Sequence, residues 1–409
     1  MERVVNIETL GRHGDGITHA DGETLYVSRV LAGEKVRIEA SAGRGSLVEL
    51  IEPSPMRRTP FCRHYDHCGG CAVQHLDPDL YVTWKRDIVA TALAHRNLSA
   101  PLDPLVDAQG SGRRRVTLHA ATAGSRLIVG FAELRSHRLF DLDICPILAP
   151  ELSRAAEIAY ALATAAKPKR RCDIQLVASE TGIDALLIGL PAPSLPMRLA
   201  LGEVAAQFDL ARVCLGEELI LERRAPVLTM GKARVRLPAG SFLQATGAGE
   251  EMLAAAVTDH LGDCRRVADL FCGVGPFALR LAAQATVHAA DQDGAAVAAL
   301  LAAARATRGL NPMTAVERNL FTRPFAPDEL VRFDGVVFDP PRAGAEAQAR
   351  ALAASKVKKI VAVACDPASF ARDAATLVAG GYRLERVTPV DQFKWSAHVE
   401  IVGRFSRGS

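Results

Sequence analysis

The sequence predicts a multidomain chain: a small N-terminal β-barrel, an α+β central region, and a doubly wound α/β domain at the C-terminal end. Three observations predict it. Residues 1–52 break into short apolar strands separated by Gly-rich turns, the pattern of a small barrel. From Gly240 onward strands and helices alternate strictly, as a parallel sheet covered by helices requires. Within that alternation, Ile360–Phe370 (IVAVACDPASF) runs five apolar residues into Cys365, Asp366 and Pro367. A short apolar run bounded by a turn is a buried parallel strand. Cys365 then lies at its carboxyl end, where open α/β sheets bind ligands.

With 49% hydrophobic and 23% charged residues, the 409-residue chain can bury full cores, which excludes a disordered chain. No apolar run reaches the ~18 residues of a membrane span, and the first ten residues carry no apolar signal core. A cytoplasmic protein with no membrane partner is expected, and nothing points beyond a monomer. The net charge of +3 is too small to argue for nucleic acid. The basic residues are grouped, however: Arg113, Arg114 and Arg115 adjoin, and Lys167, Lys169, Arg170 and Arg171 form a second set. Each group reads as a phosphate-binding face, against an edge-strand charge row for the first and a solvated basic surface for the second.

In the N-terminal region (1–52) the strands are VVNIETL, TLYVSRV, EKVRIEA and SLVELIE, with turns at GRHGDG, ADGE and AGE. This stretch resembles a TRAM domain, an OB-like barrel attached to RNA-modifying enzymes. The match rests on Leu10-Gly11, Gly14-Asp15-Gly16, Tyr26-Val27 and Gly33-Glu34-Lys35-Val36. Pro53–Pro60 reads as a linker.

The central region (53–240) opens on three thiols, Cys62-x5-Cys68-x2-Cys71, with Gly69 and Gly70 between the last two. Cys145 in DICPI can add a fourth ligand from a distance. Nine cysteines in a reducing compartment argue for metal or catalysis rather than disulfides. Four thiolates suit an iron–sulfur cluster or a structural zinc. The unequal spacing and the remote Cys-Pro favour iron–sulfur, while His64, His67 and His75 keep a mixed zinc site open. Cys172, Cys214, Cys264 and Cys272 fall in or beside apolar runs and read as buried small hydrophobes. Leu80–Leu98 has helical apolar spacing at Trp84, Ile88 and Leu93. Strands are expected over 113–120, 127–133, 174–178 and 185–190, and helices over 152–166 and 196–208.

In the C-terminal domain (241–409) several strand ends carry chemistry. Asp269–Gly275 (DLFCGVG) is a Gly-rich turn that lacks the full dinucleotide fingerprint. Asp291 ends the next strand, where an acid accepts two ribose hydroxyls. Together they suit a nucleoside-bearing cofactor without a pyrophosphate, S-adenosylmethionine rather than NAD. Asp339-Pro340-Pro341-Arg342 turns the chain out of the following strand and presents Asp339 to the cleft. Cys365 precedes a helix, whose dipole is expected to lower the thiol pKa.

With these motifs on one chain, the sequence resembles the RNA uracil-C5 methyltransferases, in particular the iron–sulfur branch that acts on ribosomal RNA. The resemblance covers nearly the whole length. It rests on the four cysteines, on SFLQ at 241–244, on DLFCGVGPF, DPPRAG and ACDPASFARD, and on HVE at 398–400. It implies a class I methyltransferase domain, an S-adenosylmethionine cofactor and an RNA substrate, 23S rRNA before tRNA. It also implies a 4Fe-4S cluster on Cys62, Cys68, Cys71 and Cys145. By the same resemblance Gln244, Phe271, Asp291, Asn319 and Asp339 bind cofactor or target base, Cys365 is the nucleophile and Glu400 the base. The chain has Ala364-Cys365-Asp366-Pro367 where the family usually has Ser-Cys-Asn-Pro, and the added charge of Asp366 is expected to raise the thiol pKa. Two other classes compete. DPPR is similar to the Asp-Pro-Pro-Tyr motif of enzymes that methylate exocyclic amino groups, which need no cysteine. A non-catalytic RNA-binding module would not need all the strand-end motifs intact.

Overall fold

The computed structural model describes residues 2–408. An eight-stranded sheet dominates the C-terminal half. Its order is Met313–Glu317, Thr286–Asp291, Arg266–Leu270, Gly335–Phe338, Lys359–Ala364, Glu400–Ser406, Arg383–Asp391 and Val106–Asp107. The first five strands are mutually parallel; Glu400–Ser406 is antiparallel to both of its neighbours. Successive side chains of a strand point to opposite faces, and the sheet shows why its strands read as continuous apolar runs. Ile360, Ala362 and Ala364 join one buried core, with Leu270, Phe338 and Phe370. Val361 and Val363 join the other, with Val257, Leu281 and Leu300.

Two pieces that precede the central sheet in the chain belong physically to this one. Helix Pro78–Ala94 starts on Asp77, whose side chain accepts from the Asp79 backbone N–H. Its buried face (Tyr81, Trp84, Ile88, Val89) packs into the same core as Phe370 and Ala374 of helix Pro367–Ala379. Val106–Asp107 then pairs in parallel with Val390–Asp391 at the sheet edge.

The chain next builds a seven-stranded sheet that includes Arg115–Ala123, Cys172–Ser179 and Gly182–Ile188. Helices Ala155–Ala166 and Leu195–Gln207 pack with it in one core. The first 52 residues form a six-stranded sheet around Val27, Val36 and Ile38. It includes Asp15–Ala20, a strand where the sequence suggested only turns. Gly16 explains the difference: a Cβ there would stand 2.4 Å from Val30 and 2.6 Å from Ile7. A strand whose neighbours fill the place of a missing side chain carries no apolar alternation to read. Among the described residues no helix is long and apolar enough to cross a membrane.

Candidate active site

The carboxyl ends of the parallel strands form the site. After Leu270 the backbone enters the left-handed region at Phe271, with φ of 62°, a conformation that non-glycine residues rarely hold without cause. The turn that follows delivers the Gly273 backbone N–H to Asp291 Oδ2 at 2.8 Å, while Asp293 N–H reaches Asp291 Oδ1 at 2.9 Å. Each carboxylate oxygen keeps lone-pair capacity for a hydroxyl. A Cβ at Gly273 would meet nothing within 4 Å, so a ligand can approach the backbone there. The Phe271 ring lies 5.4 Å from that of Phe321, a residue 40% exposed. Asn319 Oδ1 accepts the Phe321 and Thr322 backbone N–H groups at 3.0 and 3.3 Å, so this amide shapes the turn that carries Phe321. Below the turn Asp269 is fully buried, with only the Ala278 backbone N–H among the described residues acting to steady its charge. Burial, then the neighbouring Asp339 and Asp291, hold it well above the ordinary carboxylate range.

Strand register brings Cys365 and Glu400 together. Ala364 pairs with Ile401 in the antiparallel ladder. One further step of that register sets Cys365 across from Glu400, with side chains on one face. The thiol is pushed up to about 12, first by burial, then by the charges of Glu400 and Asp339, against Arg342. This corrects the expectation of a dipole-lowered thiol. The helix N-terminus is already occupied: Asp366 caps it, with Oδ1 accepting from the Ser369 backbone N–H at 2.9 Å. The raising charges come from across the cleft, not from Asp366.

Both carboxylates are themselves perturbed. Asp339 is pushed up to about 7 by burial, opposed by its hydrogen bond from Gln244. Glu400 is fully buried and held well above its ordinary value by burial and then by Asp339; Gln392 and Arg115 oppose the shift. Gln244 donates from Nε2 to Asp339 Oδ2 at 2.9 Å.

One residue that the sequence did not single out ties these groups together. Gln392 is wholly buried at the end of strand Arg383–Asp391. Its Nε2 donates to Gln244 Oε1 at 2.6 Å and Glu400 Oε1 at 3.1 Å, and its Oε1 accepts from the Ala245 backbone N–H at 2.8 Å. Glu400 Oε2 is left without a partner among the described residues, a buried acceptor with lone pairs to spare. The sequence signal was slight: a polar residue at a strand end, eight positions before Glu400.

The four clustered cysteines line a second cavity of about 590 Å³, together with Arg113 and Arg115. Burial raises Cys71 to about 12, Cys145 to about 11, and Cys68 above its ordinary value. Their charges act on one another, with Arg29 opposing at Cys68 and Arg113 at Cys145. No three Cys, His, Asp or Glu side chains among the described residues close on one ion position. His75 is turned away, bonded to the Tyr65 hydroxyl at 2.6 Å, and His64 engages Asp143. Both histidines are thus held by other partners. Cys172, Cys214, Cys264 and Cys272 are buried singly, as expected.

Arg113–Arg115 are half-buried and engage the chain itself. Arg114 bonds Glu250 Oε2 at 2.6 Å, and Arg115 lies 4.7 Å over the Phe242 ring. The cysteine loop also touches the loop that leads to Glu400: Ala72 and Val73 backbone N–H groups donate to the Trp395 carbonyl at 2.8 and 3.2 Å.

Comparison with known proteins adds to this geometry. A family model described as tRNA (Uracil-5-)-methyltransferase matches residues 325–406, a span that contains Asp339, Cys365, Gln392 and Glu400. An uncharacterized RNA methyltransferase of Brucella suis is 43% identical over 99% of this chain and 98% of its own length. The 23S rRNA (uracil(1939)-C(5))-methyltransferase RlmD of Chromohalobacter salexigens is 33% identical over 97% of this chain and 87% of its own. Among solved structures, the Pyrococcus abyssi tRNA (uracil-54, C5)-methyltransferase in complex with S-adenosyl-L-homocysteine aligns with a TM-score of 0.75. It covers 98% of this chain and 99% of that one at 21% identity, a likeness of fold.

Proposed function

Because this chain belongs to the RNA uracil-5-methyltransferase family, we propose that it methylates C5 of a uridine in 23S ribosomal RNA through a covalent bond from Cys365. The observation that carries the reading is the ladder register that sets Cys365 against Glu400, with Asp339 beside both. When bound at the Asp291 turn, S-adenosylmethionine supplies the methyl group. Phe271 and Asn319 complete that pocket.

C5 of uracil is a weak nucleophile, so the ring must first be activated. The Cys365 sulfur bonds to C6, and the C5=C6 electron pair moves toward O4 to give an enolate. The thiol proton leaves through the Asp339–Glu400 pair. A carboxylate pair whose affinity for protons is raised by burial is suited to accept it. Once C5 carries the methyl group, Glu400 Oε2 removes the C5 proton, the C5=C6 bond reforms, and the C6–S bond breaks with its electrons returning to sulfur. The uridine must leave its stack to reach this cleft, which accounts for an N-terminal barrel that grips RNA elsewhere.

We further propose a 4Fe-4S cluster on Cys62, Cys68, Cys71 and Cys145, with a structural role. Half-buried thiols gathered in one cavity, with Cys68, Cys71 and Cys145 raised above the ordinary thiol value, are costly to ionise unless a cation compensates. What supports the reading is that all four thiols line one cavity of about 590 Å³. Brown protein containing iron and sulfide supports it; colourless protein free of iron refutes it.

The substrate test is direct. Purified enzyme with radiolabelled S-adenosylmethionine should label a 23S rRNA transcript and leave tRNA transcripts unlabelled. Labelled tRNA alone would move the substrate to tRNA, the reading favoured by the name of the family model.

A further inference from the structure

We propose that Gln392 determines which pyrimidine the site accepts, by fixing the donor–acceptor polarity of the Gln244–Asp339 pair; this rests on the uracil-C5 reading above. The two ends of a side-chain amide look alike in shape, and only their partners distinguish them. Here one partner is unambiguous. The Ala245 backbone N–H can only donate, so the end of Gln392 it meets at 2.8 Å is the oxygen. Its NH2 group therefore faces the other way, and both hydrogens are used, one on Gln244 Oε1 and one on Glu400 Oε1. Gln244 must then present its own NH2 group to Asp339 Oδ2. One N–H of Gln244 and one oxygen of Asp339 remain without a partner among the described residues.

That leftover pair is a reading edge with a donor beside an acceptor. Uracil offers the complement: a carbonyl oxygen to accept from Gln244 and N3–H to donate to Asp339 Oδ1. Cytosine inverts both positions, with an N4 amino group facing an N–H and an N3 lone pair facing a carboxylate oxygen. A site built to hydrogen-bond one edge rejects its inverse strongly, because buried groups are left unpaired. A second observation shows that room is kept for Gln392. A Cβ on Gly249 would stand 2.8 Å from Gln392 Oε1 and 2.9 Å from its Cβ. Helix Gly247–Leu261 thus carries a glycine in its first turn, where the Gln392 amide lies.

The test compares covalent adducts on two RNA oligonucleotides, with 5-fluorouridine or 5-fluorocytidine at the target position. Wild-type enzyme should trap the uridine form far faster. In Gln392→Glu and Gln392→Leu the uridine-to-cytidine ratio should fall by roughly tenfold or more, while affinity for S-adenosylhomocysteine stays within about twofold. Should either variant lose that affinity, Gly249→Ala, which crowds the amide without removing it, takes its place with the same expected fall. An unchanged ratio in a variant that binds S-adenosylhomocysteine and still traps 5-fluorouridine overturns the proposal. Absence of the uridine adduct in wild-type enzyme instead overturns the uracil-C5 reading on which it rests.

Discussion

The four cysteines near the N-terminal end and the single Cys365 have the same chemistry, and burial raises Cys68, Cys71, Cys145 and Cys365 alike. Their neighbours differ. In the cavity the thiols raise one another, with arginines opposing. At the strand end the thiol is raised by two carboxylates. Thiols facing thiols have no proton acceptor, and what lowers their energy is a shared cation. A thiol facing carboxylates has a proton acceptor and lacks only an electrophile. The comparison teaches that a raised thiol pKa does not separate a ligand from a nucleophile, whereas the identity of its charged neighbours does.

Exchanging single atoms breaks the comparison most sharply at Cys365. Cys365→Ala should lower methyl transfer by at least about 10⁴-fold and leave S-adenosylhomocysteine binding intact, measured by single-turnover transfer and by calorimetry. Glu400→Gln comes next. Sulfur addition and methylation need no Oε2 base, but release does. Turnover should fall by roughly 10²–10⁴-fold while enzyme linked to methylated RNA accumulates on denaturing gels. Cys71→Ser should act on the other side of the comparison. Iron should be lost and the melting temperature should fall by roughly 4–8 °C, while Cys365 adduct formation stays within about tenfold of wild type.

The smallest effect is on stability against pH. The folded protein holds Asp339 at about 7, against an ordinary value of 3.8. Between these values the folded state binds more protons than the unfolded one, so this carboxyl makes the protein less stable as pH rises through that window. Asp339→Asn should flatten the slope and raise stability at pH 8 by roughly 1–3 kcal/mol, read by urea unfolding, with methyl transfer lost.

Much of the catalytic half was legible in the sequence because its signals are local. The Lys359–Ala364 strand, the turn at Gly273 and the Asp339-Pro340-Pro341 exit each lie within a few residues of the feature that marks them. What was illegible depends on distance along the chain. Gln392 acquires its role from Gln244 and Ala245, 148 and 147 positions away. The direction of the Cys365 shift came first from burial and then from Glu400 and Asp339 on neighbouring strands, while the local cue, a helix start, is a terminus that Asp366 already caps. Helix Pro78–Ala94 was readable as a helix, but not its docking, which joins an apolar face in the core to the buried Lys85, bonded to Asp391 at 2.9 Å.

The central claim is that a sulfur–carbon bond forms at Cys365. Enzyme trapped on 5-fluorouridine RNA, digested and mapped by tandem mass spectrometry, tests it most directly. The account predicts one modified peptide, carrying the nucleotide on Cys365 with the methyl group on C5. A nucleotide on any other cysteine, or methylated RNA released without a trapped peptide, would contradict it.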